Sequence, residues 1–392
     1  MYKEEEVDID IPLWLSIMLQ SCEEFLMTMR AKKERYKGIE RILVKGTNWV
    51  GDTIISFPAV SALRRHFPKA RISILTKSRL AELWKANPSV DEVIPYDMPS
   101  GAGRIFGELQ IARLIRQKEI DLAVIFPRSF SSALMVFLGG VPRRIGYKAE
   151  GRSLLLTERI ACTAELLSRH RMYYYLQLIE PLGSYPSPPL PSLSLSGTQG
   201  RWADTFLSHT GLKGKVLVGL NPGATYGEAK CWPPERFAAL GRRLIKDSGA
   251  SILIFGSSRP QEKALNTAIA EGIGEDCLNL SGETSLWQLA ALLRRCRLLV
   301  TNDTGTMHVA AAVGTRVVAI FGPTDPRTTS PLGKGHVVIR REVSCSPCLK
   351  RVCPEDHRCM DLIEVEEVYN TVGMHFKGRA STAKASKGLN ES

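Results

Sequence analysis

Residues 41–53 of this 392-residue chain read Arg-Ile-Leu-Val-Lys-Gly-Thr-Asn-Trp-Val-Gly-Asp-Thr, and they decide the fold. Residues 42–44 are a short apolar run, a turn with two glycines follows at once, and 59–67 have helical composition and spacing. A strand that leads through a turn into a helix is the first unit of an α/β protein. Such units bind ligands beyond the carboxyl ends of their strands, so this turn is also a candidate binding loop.

The same pattern of strand and helix recurs in two halves of the chain. Further strands are predicted at 72–75, 93–94, 122–126, 216–220, 251–255, 298–301 and 317–321. Helices are predicted at 80–85, 106–117, 164–180, 235–246, 261–270, 286–294 and 307–313. This alternation predicts parallel sheets covered on both faces, and the proline-rich stretch 184–192 separates the halves. The fold class is therefore α/β, with two Rossmann-like domains that face a central cleft.

This interpretation divides the chain into six parts. They are an N-terminal extension (1–38), a first Rossmann-like domain (39–185), a proline-rich linker (186–200), a second Rossmann-like domain (201–345), a cysteine cluster with a terminal helix (346–376) and a tail (377–392). The tail combines Lys and Arg with Ser, Gly and Ala, a composition typical of disorder.

Composition excludes several classes of protein. No run of eighteen apolar residues is present, which excludes a spanning helix, and the acidic start argues against a signal peptide. Nine cysteines are too few for a disulfide scaffold of this length, so a reducing cytoplasm is expected. The net charge of +12 favours acidic partners, either anionic lipid or phosphorylated small molecules. Nucleic acid is not expected, because the basic residues are dispersed and do not alternate with aromatics.

The N-terminal extension has the composition of a surface-binding helix. Residues 11–29 are rich in apolar side chains, and five Lys or Arg residues follow between 30 and 37. An apolar segment beside a basic run can lie on an anionic membrane. Two other interpretations stay open: the segment packs on the protein's own body, or it is an untranslated leader ahead of a start at Met29.

Two loops at strand ends carry candidate chemistry. Asp52 lies where the first turn opens a helix, so it is either a general base or a helix N-cap. The loop 300–308 also follows a strand and opens a helix. There Thr304, Gly305 and Thr306 offer hydroxyls and free N–H groups at the positive end of the helix dipole, which suits a diphosphate. Asp303 and His308 flank this turn.

Two further loops would lie at the same edge of the second sheet. Lys230 in the loop 221–233 could reach a phosphate, and Thr225 in that loop is a further donor-binding candidate. The loop 280–286 contains Thr284 and could hold a nucleoside base or ribose. The candidate loops of the two halves together offer a diphosphate site and a candidate general base, Asp52, with no evident metal ligands between them.

A cluster of cysteines follows the second half of the chain. Cys345, Cys348, Cys353 and Cys359 lie within fifteen residues, with His357 among them. This density is sufficient for a structural zinc site, although free or redox-active thiols are the somewhat favoured interpretation.

The chain resembles the ADP-heptose:lipopolysaccharide heptosyltransferases of glycosyltransferase family 9, and most of all their type II branch. The motifs that carry the resemblance are 45–52 (Lys-Gly-Thr-Asn-Trp-Val-Gly-Asp), 221–224 (Asn-Pro-Gly-Ala), 230–233 (Lys-Cys-Trp-Pro), 281–284 (Ser-Gly-Glu-Thr), 302–308 (Asn-Asp-Thr-Gly-Thr-Met-His) and 321–326 (Phe-Gly-Pro-Thr-Asp-Pro). The resemblance runs from about 41 to about 368 and implies the GT-B fold, with the acceptor on the first domain and the donor on the second.

The resemblance also implies roles for individual residues. Asp52 matches the proposed catalytic base of the family, Lys230 its phosphate-binding lysine, and Thr284 a position near adenine. The diphosphate loop corresponds to Asp303, Thr304, Gly305, Thr306 and the motif histidine His308, with Thr306 where Leu is common. The resemblance implies an inverting transferase that needs no metal or other cofactor for catalysis. It would move heptose from ADP-L-glycero-D-manno-heptose to the heptose/Kdo inner core of lipid A-core.

The expected place of work is the cytoplasmic face of the inner membrane, where the enzyme would be peripheral and would meet an anionic surface. Two alternatives stay open from sequence. One is a GT-B transferase with another nucleotide sugar or core acceptor. The other is a non-catalytic nucleotide-binding module in which Asp52 only caps a helix.

Overall fold

The computed structural model describes residues 36–101, 103–183 and 187–377. The predicted membrane-associating segment and the predicted tail therefore lie outside the described residues, apart from 36–38 and Lys377. Among the described helices, none combines the length and apolar character that crossing a bilayer requires.

Two six-stranded sheets, both parallel throughout, organise the described chain. The first consists of β1 (Arg41–Lys45), β2 (Arg71–Lys77), β3 (Glu92–Tyr96), β4 (Leu122–Ile125), β5 (Arg143–Tyr147) and β6 (Glu158–Ile160). The second consists of β7 (Val216–Asn221), β8 (Ala250–Ile254), β9 (Cys277–Asn279), β10 (Leu298–Asn302), β11 (Arg316–Phe321) and β12 (Val337–Arg340). Their orders, β3-β2-β1-β4-β5-β6 and β9-β8-β7-β10-β11-β12, are the same doubly wound arrangement. The predicted fold class is confirmed.

Helices cover both sheets. In the first half they are α1 (Val50–Ile55), α2 (Phe57–His66), α3 (Ala81–Lys85), α4 (Gly103–Gln117), α5 (Phe130–Leu138), α6 (Ala164–Ser168) and α7 (Arg171–Gln177). In the second half they are α8 (Gly197–His209), α9 (Pro234–Ser248), α10 (Pro260–Ile273), α11 (Leu286–Leu293), α12 (Gly305–Ala312), α13 (Pro326–Thr329), α14 (Arg358–Asp361) and α15 (Val365–Lys377). Short 3-10 turns lie at Ser78–Leu80, Arg152–Leu155, Glu180–Leu182 and Glu228–Lys230.

The prediction of one helix over 164–180 is wrong. The chain breaks between α6 and α7, where His170 has an extended backbone and its Nδ1 accepts a hydrogen bond from the Met172 N–H at 3.2 Å. This cap starts a new helix and turns α7 toward the cleft. The helix α8 begins at Gly197, inside the predicted linker, behind a capping box formed by Ser196 and Gln199. The exact domain boundaries stay a prediction.

The two sheets, each with its helices, form two lobes that touch through the starts of α1 and α12. A Cβ added at Gly305 would come within 2.8 Å of Val50 Cβ and 3.1 Å of the Gly51 backbone nitrogen. A Cβ added at Gly51 would lie 3.0 Å from His308 Cδ2. Side chains at these two positions would separate the helices, so glycine is what allows the loop after β1 to meet the loop after β10.

Gly305→Ala should lower the free energy of unfolding, because the new methyl group meets backbone and Val50 with no room to move. Overpacking of this kind costs about 1–3 kcal/mol. Urea unfolding followed by circular dichroism measures the loss. Gly373→Ala on α15 is the matched control: nothing lies within 4 Å of its added Cβ, and alanine is favoured in a helix by about 0.5–1 kcal/mol. Equal stability of Gly305→Ala and the wild type would contradict the close contact.

Candidate active site

A cavity of about 480 Å³ lies between the lobes, at the carboxyl ends of both sheets. The first lobe lines it with Trp49, Gly51, Asp52, Ile55 and Arg171. The second lobe lines it with Thr225, Tyr226, Lys230, Asp303, Thr304, Gly305, His308, Thr324, Thr328, Thr329, Leu349 and Arg351. Seven of the nine predicted catalytic and donor-binding residues therefore share one cavity. Thr306 and Thr284 are half-buried and are not among its lining residues.

Asp52 lies in the first turn of α1 and faces this cavity. Its Oδ1 accepts a hydrogen bond of 2.9 Å from the hydroxyl of Tyr175. The N-cap residue is Trp49, and α1 has no side-chain cap, so the alternative interpretation of Asp52 as an N-cap is wrong. Burial raises the pKa of Asp52, while the Tyr175 hydrogen bond and the charges of Arg171 and Lys230 lower it in part. Burial thus makes this carboxylate a stronger base than an ordinary aspartate.

Tyr175 reaches Asp52 from α7. Its ring is buried and packs against Phe126 with centroids 5.1 Å apart, which fixes the hydroxyl. Burial and the neighbouring Asp52 raise the pKa of Tyr175 well above its usual value, so the phenol stays protonated and donates. Neither Tyr175 nor Arg171 is predicted from the sequence. No local pattern marks them, since 123 residues separate Tyr175 from its partner and only the capped start of α7 aims both at the cleft.

Lys230 is held by an ion pair inside the second lobe. Its Nζ lies 2.5 Å from Asp303 Oδ2, and both side chains are almost completely buried. The Thr324 hydroxyl donates to the same carboxylate oxygen at 2.7 Å. The ammonium also lies 4.9 Å from the centre of the Tyr226 ring. Asp303 therefore fixes Lys230 at the cavity and neutralises its charge.

Asn302, which precedes this pair, joins two loops of the second lobe. Its Oδ1 accepts from the Trp232 N–H at 3.1 Å, and its Nδ2 donates to the Pro222 carbonyl at 2.5 Å. Trp232 is buried and donates its indole N–H to Ile363 O at 2.9 Å. The loop that carries Lys230 is thus fixed to the end of β10 by buried hydrogen bonds, which preorganises it.

The helix α12 begins at the cavity wall. Thr304 is its N-cap residue in extended conformation, and its hydroxyl does not cap the helix. That hydroxyl lies 3.5 Å from Asn221 Nδ2 and 3.3 Å from Thr301 Oγ1. Thr304 and Gly305 line the cavity, and the positive end of the helix dipole points into it.

His308 lies one turn further along α12 and is buried against Gly51. Burial lowers its pKa to about 4, although the charge of Asp303 opposes this. The imidazole is therefore neutral at pH 7. It packs between the lobes and contributes no positive charge to the cavity.

The cysteine segment forms the outer wall of the site, which the sequence analysis did not predict. Arg351 O accepts from the Ala229 N–H at 3.0 Å, and Leu349 O accepts from the Tyr226 hydroxyl at 2.7 Å. His357 Nε2 lies 2.9 Å from Ala229 O. These contacts support the loop of Lys230 from behind.

The four cysteines expected to hold zinc line one small cavity behind this wall. Burial, with the neighbouring Cys345, Cys353 and Cys348, raises the pKa of the Cys359 thiol to about 11. Within the ranges that the structure describes, no group of three or more His, Cys, Asp or Glu side chains is placed to hold a metal ion. Structural zinc at Cys345, Cys348, Cys353 and Cys359 stays a prediction.

Comparison with known proteins identifies the family. The profile of glycosyltransferase family 9 (heptosyltransferase) matches residues 109–358. The lipopolysaccharide heptosyltransferase 2 of Escherichia coli K12 is 34% identical over 308 residues, which are 76% of this chain and 88% of the relative. The chain belongs to glycosyltransferase family 9. The enzyme class expected from sequence, a glycosyltransferase, is thereby confirmed.

Solved structures of the family share the fold. The E. coli ADP-heptose lipopolysaccharide heptosyltransferase II superposes with a TM-score of 0.75 at 29% identity, over 86% of this chain and 98% of that one. A family 9 glycosyltransferase of Veillonella parvula gives 0.76 at 25% identity, over 86% and 97%. The GT-B arrangement expected from the resemblance is confirmed.

Tyr175→Phe should raise the pKa of Asp52 further, because the lost hydroxyl donates to the charged form of the carboxylate. The carboxyl carbon of Asp52, assigned by its disappearance in Asp52→Asn, should titrate at higher pH in the variant, as followed by ¹³C NMR. Tyr173→Phe on the same helix is the control, because the Tyr173 ring stacks under Arg169 instead. An unchanged or lower titration midpoint in Tyr175→Phe would contradict the hydrogen bond.

Proposed function

We propose that this chain is a lipopolysaccharide heptosyltransferase of type II. It transfers heptose from ADP-L-glycero-D-manno-heptose to the heptose/Kdo inner core of lipid A-core, with inversion at the anomeric carbon. The relatives named above support this donor and acceptor class. The observation that carries the proposal is that Asp52 of one lobe and Lys230 with the start of α12 of the other face a single cavity.

Asp52 acts on the acceptor. Its carboxylate takes the proton of a heptose hydroxyl while that oxygen forms a bond to the anomeric carbon of the donor. The bond from this carbon to the diphosphate breaks on the opposite side, and its electron pair leaves with ADP. Tyr175 positions Asp52 and keeps it from rotating away. The raised pKa favours this step, because a stronger base accepts the proton more readily.

Lys230 and α12 act on the leaving group. Negative charge grows on the diphosphate as the sugar bond breaks. The ammonium of Lys230 and the N-terminal N–H groups of α12 lie at the wall that the diphosphate would meet, and they are fixed before the reaction. Thr225, Thr304 and Gly305 line the same wall. We propose that Asp303 positions Lys230. The placement of Thr284 and Thr306 near the donor stays a prediction.

A charged acceptor fits the chain's charge. Lys and Arg exceed Asp and Glu by twelve, and a phosphorylated lipid core at an anionic surface attracts such a protein. We therefore propose that the enzyme works as a peripheral protein at the cytoplasmic face of the inner membrane and needs no cofactor for catalysis.

Asp52→Ala should lower kcat by about 10²–10⁴ while ADP binding stays within two-fold, because general-base assistance contributes about that much. Transfer from ADP-heptose to a defined core acceptor gives kcat, and calorimetry gives ADP affinity. The wild-type kcat should rise with pH through the pKa of Asp52, at a higher pH than an ordinary aspartate of about 4. Asp247→Asn on the exposed surface of α9 is the control. Turnover of Asp52→Ala within a few-fold of wild type would remove Asp52 from this role.

Lys230→Ala should weaken ADP binding by about 10–100-fold, since a hydrogen bond to a charged group contributes about 1.5–3 kcal/mol. Lys215→Ala is the control, because Lys215 pairs with Asp276 at the opposite edge of the second sheet. Lys230→Ala also leaves the buried carboxylate of Asp303 without a counter-charge. The double variant Lys230→Ala/Asp303→Asn removes that charge and so separates this effect from the loss of a contact to the diphosphate. If the double variant binds ADP as tightly as the wild type, Lys230 does not contact the diphosphate.

A further inference from the structure

The first lobe carries a surface of exposed large apolar side chains, which we name the α4–α5 face. It consists of Ile105, Phe106 and Leu109 on α4, Phe130 and Phe137 on α5, and Leu154 in the turn Arg152–Leu155. Phe106 is 70% exposed and Leu154 is 84% exposed. Single exposed apolar residues are ordinary, but contiguous apolar patches on soluble proteins mark interaction sites.

These side chains belong to one continuous layer. The helix α4 packs on α5, and α5 packs on the turn that carries Leu154. Arg104 Nη2 donates to the Ser131 hydroxyl at 3.3 Å across the two helices, and a groove of about 340 Å³ between them is lined by Ile105 and Phe130. The inner faces of both helices, such as Ile111 and Val136, already fill the core against the first sheet. The outer apolar residues are therefore not needed for that core.

The α4–α5 face points away from the second lobe. Ile111, Ile115 and Val136 pack on the side of the sheet that contains Leu43 and Ile125, while the opposite side, with Ile42 and Val44, joins the core shared with the second lobe. Both helices also start just after a strand ends. Their first turns, with Ile105, Phe106 and Phe130, therefore lie at the carboxyl edge of the first sheet, the edge that also carries Asp52.

Basic side chains border the apolar centre. Residues 103–160 contain ten Lys and Arg against five Asp and Glu; of these, Arg152 is fully buried, and Glu108 and Glu150 line the groove beside Arg104. Arg113 and Arg116 extend the exposed side of α4 beyond Leu109. The Arg144 guanidinium lies 5.2 Å from the centre of the Phe137 ring at the other border. Apolar side chains framed by arginines are the chemistry that enters the boundary between lipid headgroups and acyl chains.

We propose that the α4–α5 face docks on a bilayer that contains anionic phospholipid. The charge selects this occupant, because a purely apolar partner surface would leave the arginines without counter-charges. The reason for docking rests on the proposed function: a lipid-linked acceptor has its sugars just above the headgroups. With this face on the bilayer, the first turns of α4 and α5 hold the edge that carries Asp52 near the headgroups, while the second lobe stays free to bind the donor.

Vesicle binding by the full chain tests the proposal. The probes are vesicles of phosphatidylethanolamine with phosphatidylglycerol, and vesicles of phosphatidylcholine alone, in a co-sedimentation assay. Ile105→Ser/Phe106→Ser/Leu109→Ser should lower binding to the anionic vesicles at least ten-fold. Arg113→Gln should lower it about five-fold at low salt, in line with the contribution of one basic residue near an anionic surface. Wild-type binding to phosphatidylcholine should be much weaker.

Two controls keep the outcome clear. Leu362→Ser/Met374→Ser replaces equally exposed apolar residues of the second lobe and should bind vesicles as the wild type does. Transfer to a water-soluble core acceptor should be unchanged in the triple variant, which shows that it is folded. If the wild type transfers no heptose to this acceptor, the proposed function is contradicted. The vesicle-binding result still tests the docking proposal in that case.

Three results would overturn the docking proposal. One is unchanged vesicle binding by the triple variant. A second is loss of binding only when Leu13, Trp14 and Ile17 of the N-terminal extension are changed to Ser, since that extension would then make the contact. The third is a wild-type protein that sediments as a dimer in analytical ultracentrifugation, while the triple variant sediments as a monomer and binds vesicles as the wild type does. The face would then bind a second copy of the chain.

Discussion

The close approach of α1 and α12 is the constraint on which the site depends. Each helix begins just after the central strand of its own sheet, so each loop carries its polar residues to the same gap. Gly51 and Gly305 bring the backbones together: Gly305 has no room for a methyl group, and a methyl group at Gly51 would press on the His308 ring at 3.0 Å. With bulkier residues there, Asp52 and Lys230 would still exist on their loops but would no longer share a cavity. Two glycines, which have no functional side chain, thus determine how Asp52 and Lys230 are placed relative to each other.

The two sides of the cavity are prepared in different ways. In the first lobe, burial makes Asp52 a stronger base, and the phenol of Tyr175 limits that effect while holding the carboxylate in place. In the second lobe, a buried ion pair holds Lys230, and Asn302 fixes its loop. In the proposed reaction, desolvation in the first lobe would tune a proton acceptor, and the ion pair in the second would hold a cation for the diphosphate.

Outside the cavity, two surfaces on different lobes have different roles. The segment 345–359, which contains the cysteine cluster, supports the loop of Lys230 through a backbone hydrogen bond at Ala229 and a hydrogen bond from the Tyr226 hydroxyl. The α4–α5 face, with its exposed apolar and basic residues, lies on the first lobe and points away from the second lobe. The proposed reaction fits this division, because its nucleotide-sugar donor would come from water and its lipid-linked acceptor from a membrane.

The sequence by itself determined the alternation of strands and helices, the two halves, and the loops at which Asp52, Lys230 and the residues 303–305 would lie. Local patterns suffice for this, because strand ends and helix starts are set by neighbouring residues. It did not determine the inner strand β5 or the edge strands β6, β9 and β12. Only the tertiary structure decided that Asp52 is not a cap, that Tyr175 and Arg171 join it, and that Asp303 holds Lys230. Those pairs are far apart along the chain, and packing between distant elements is what brings them together.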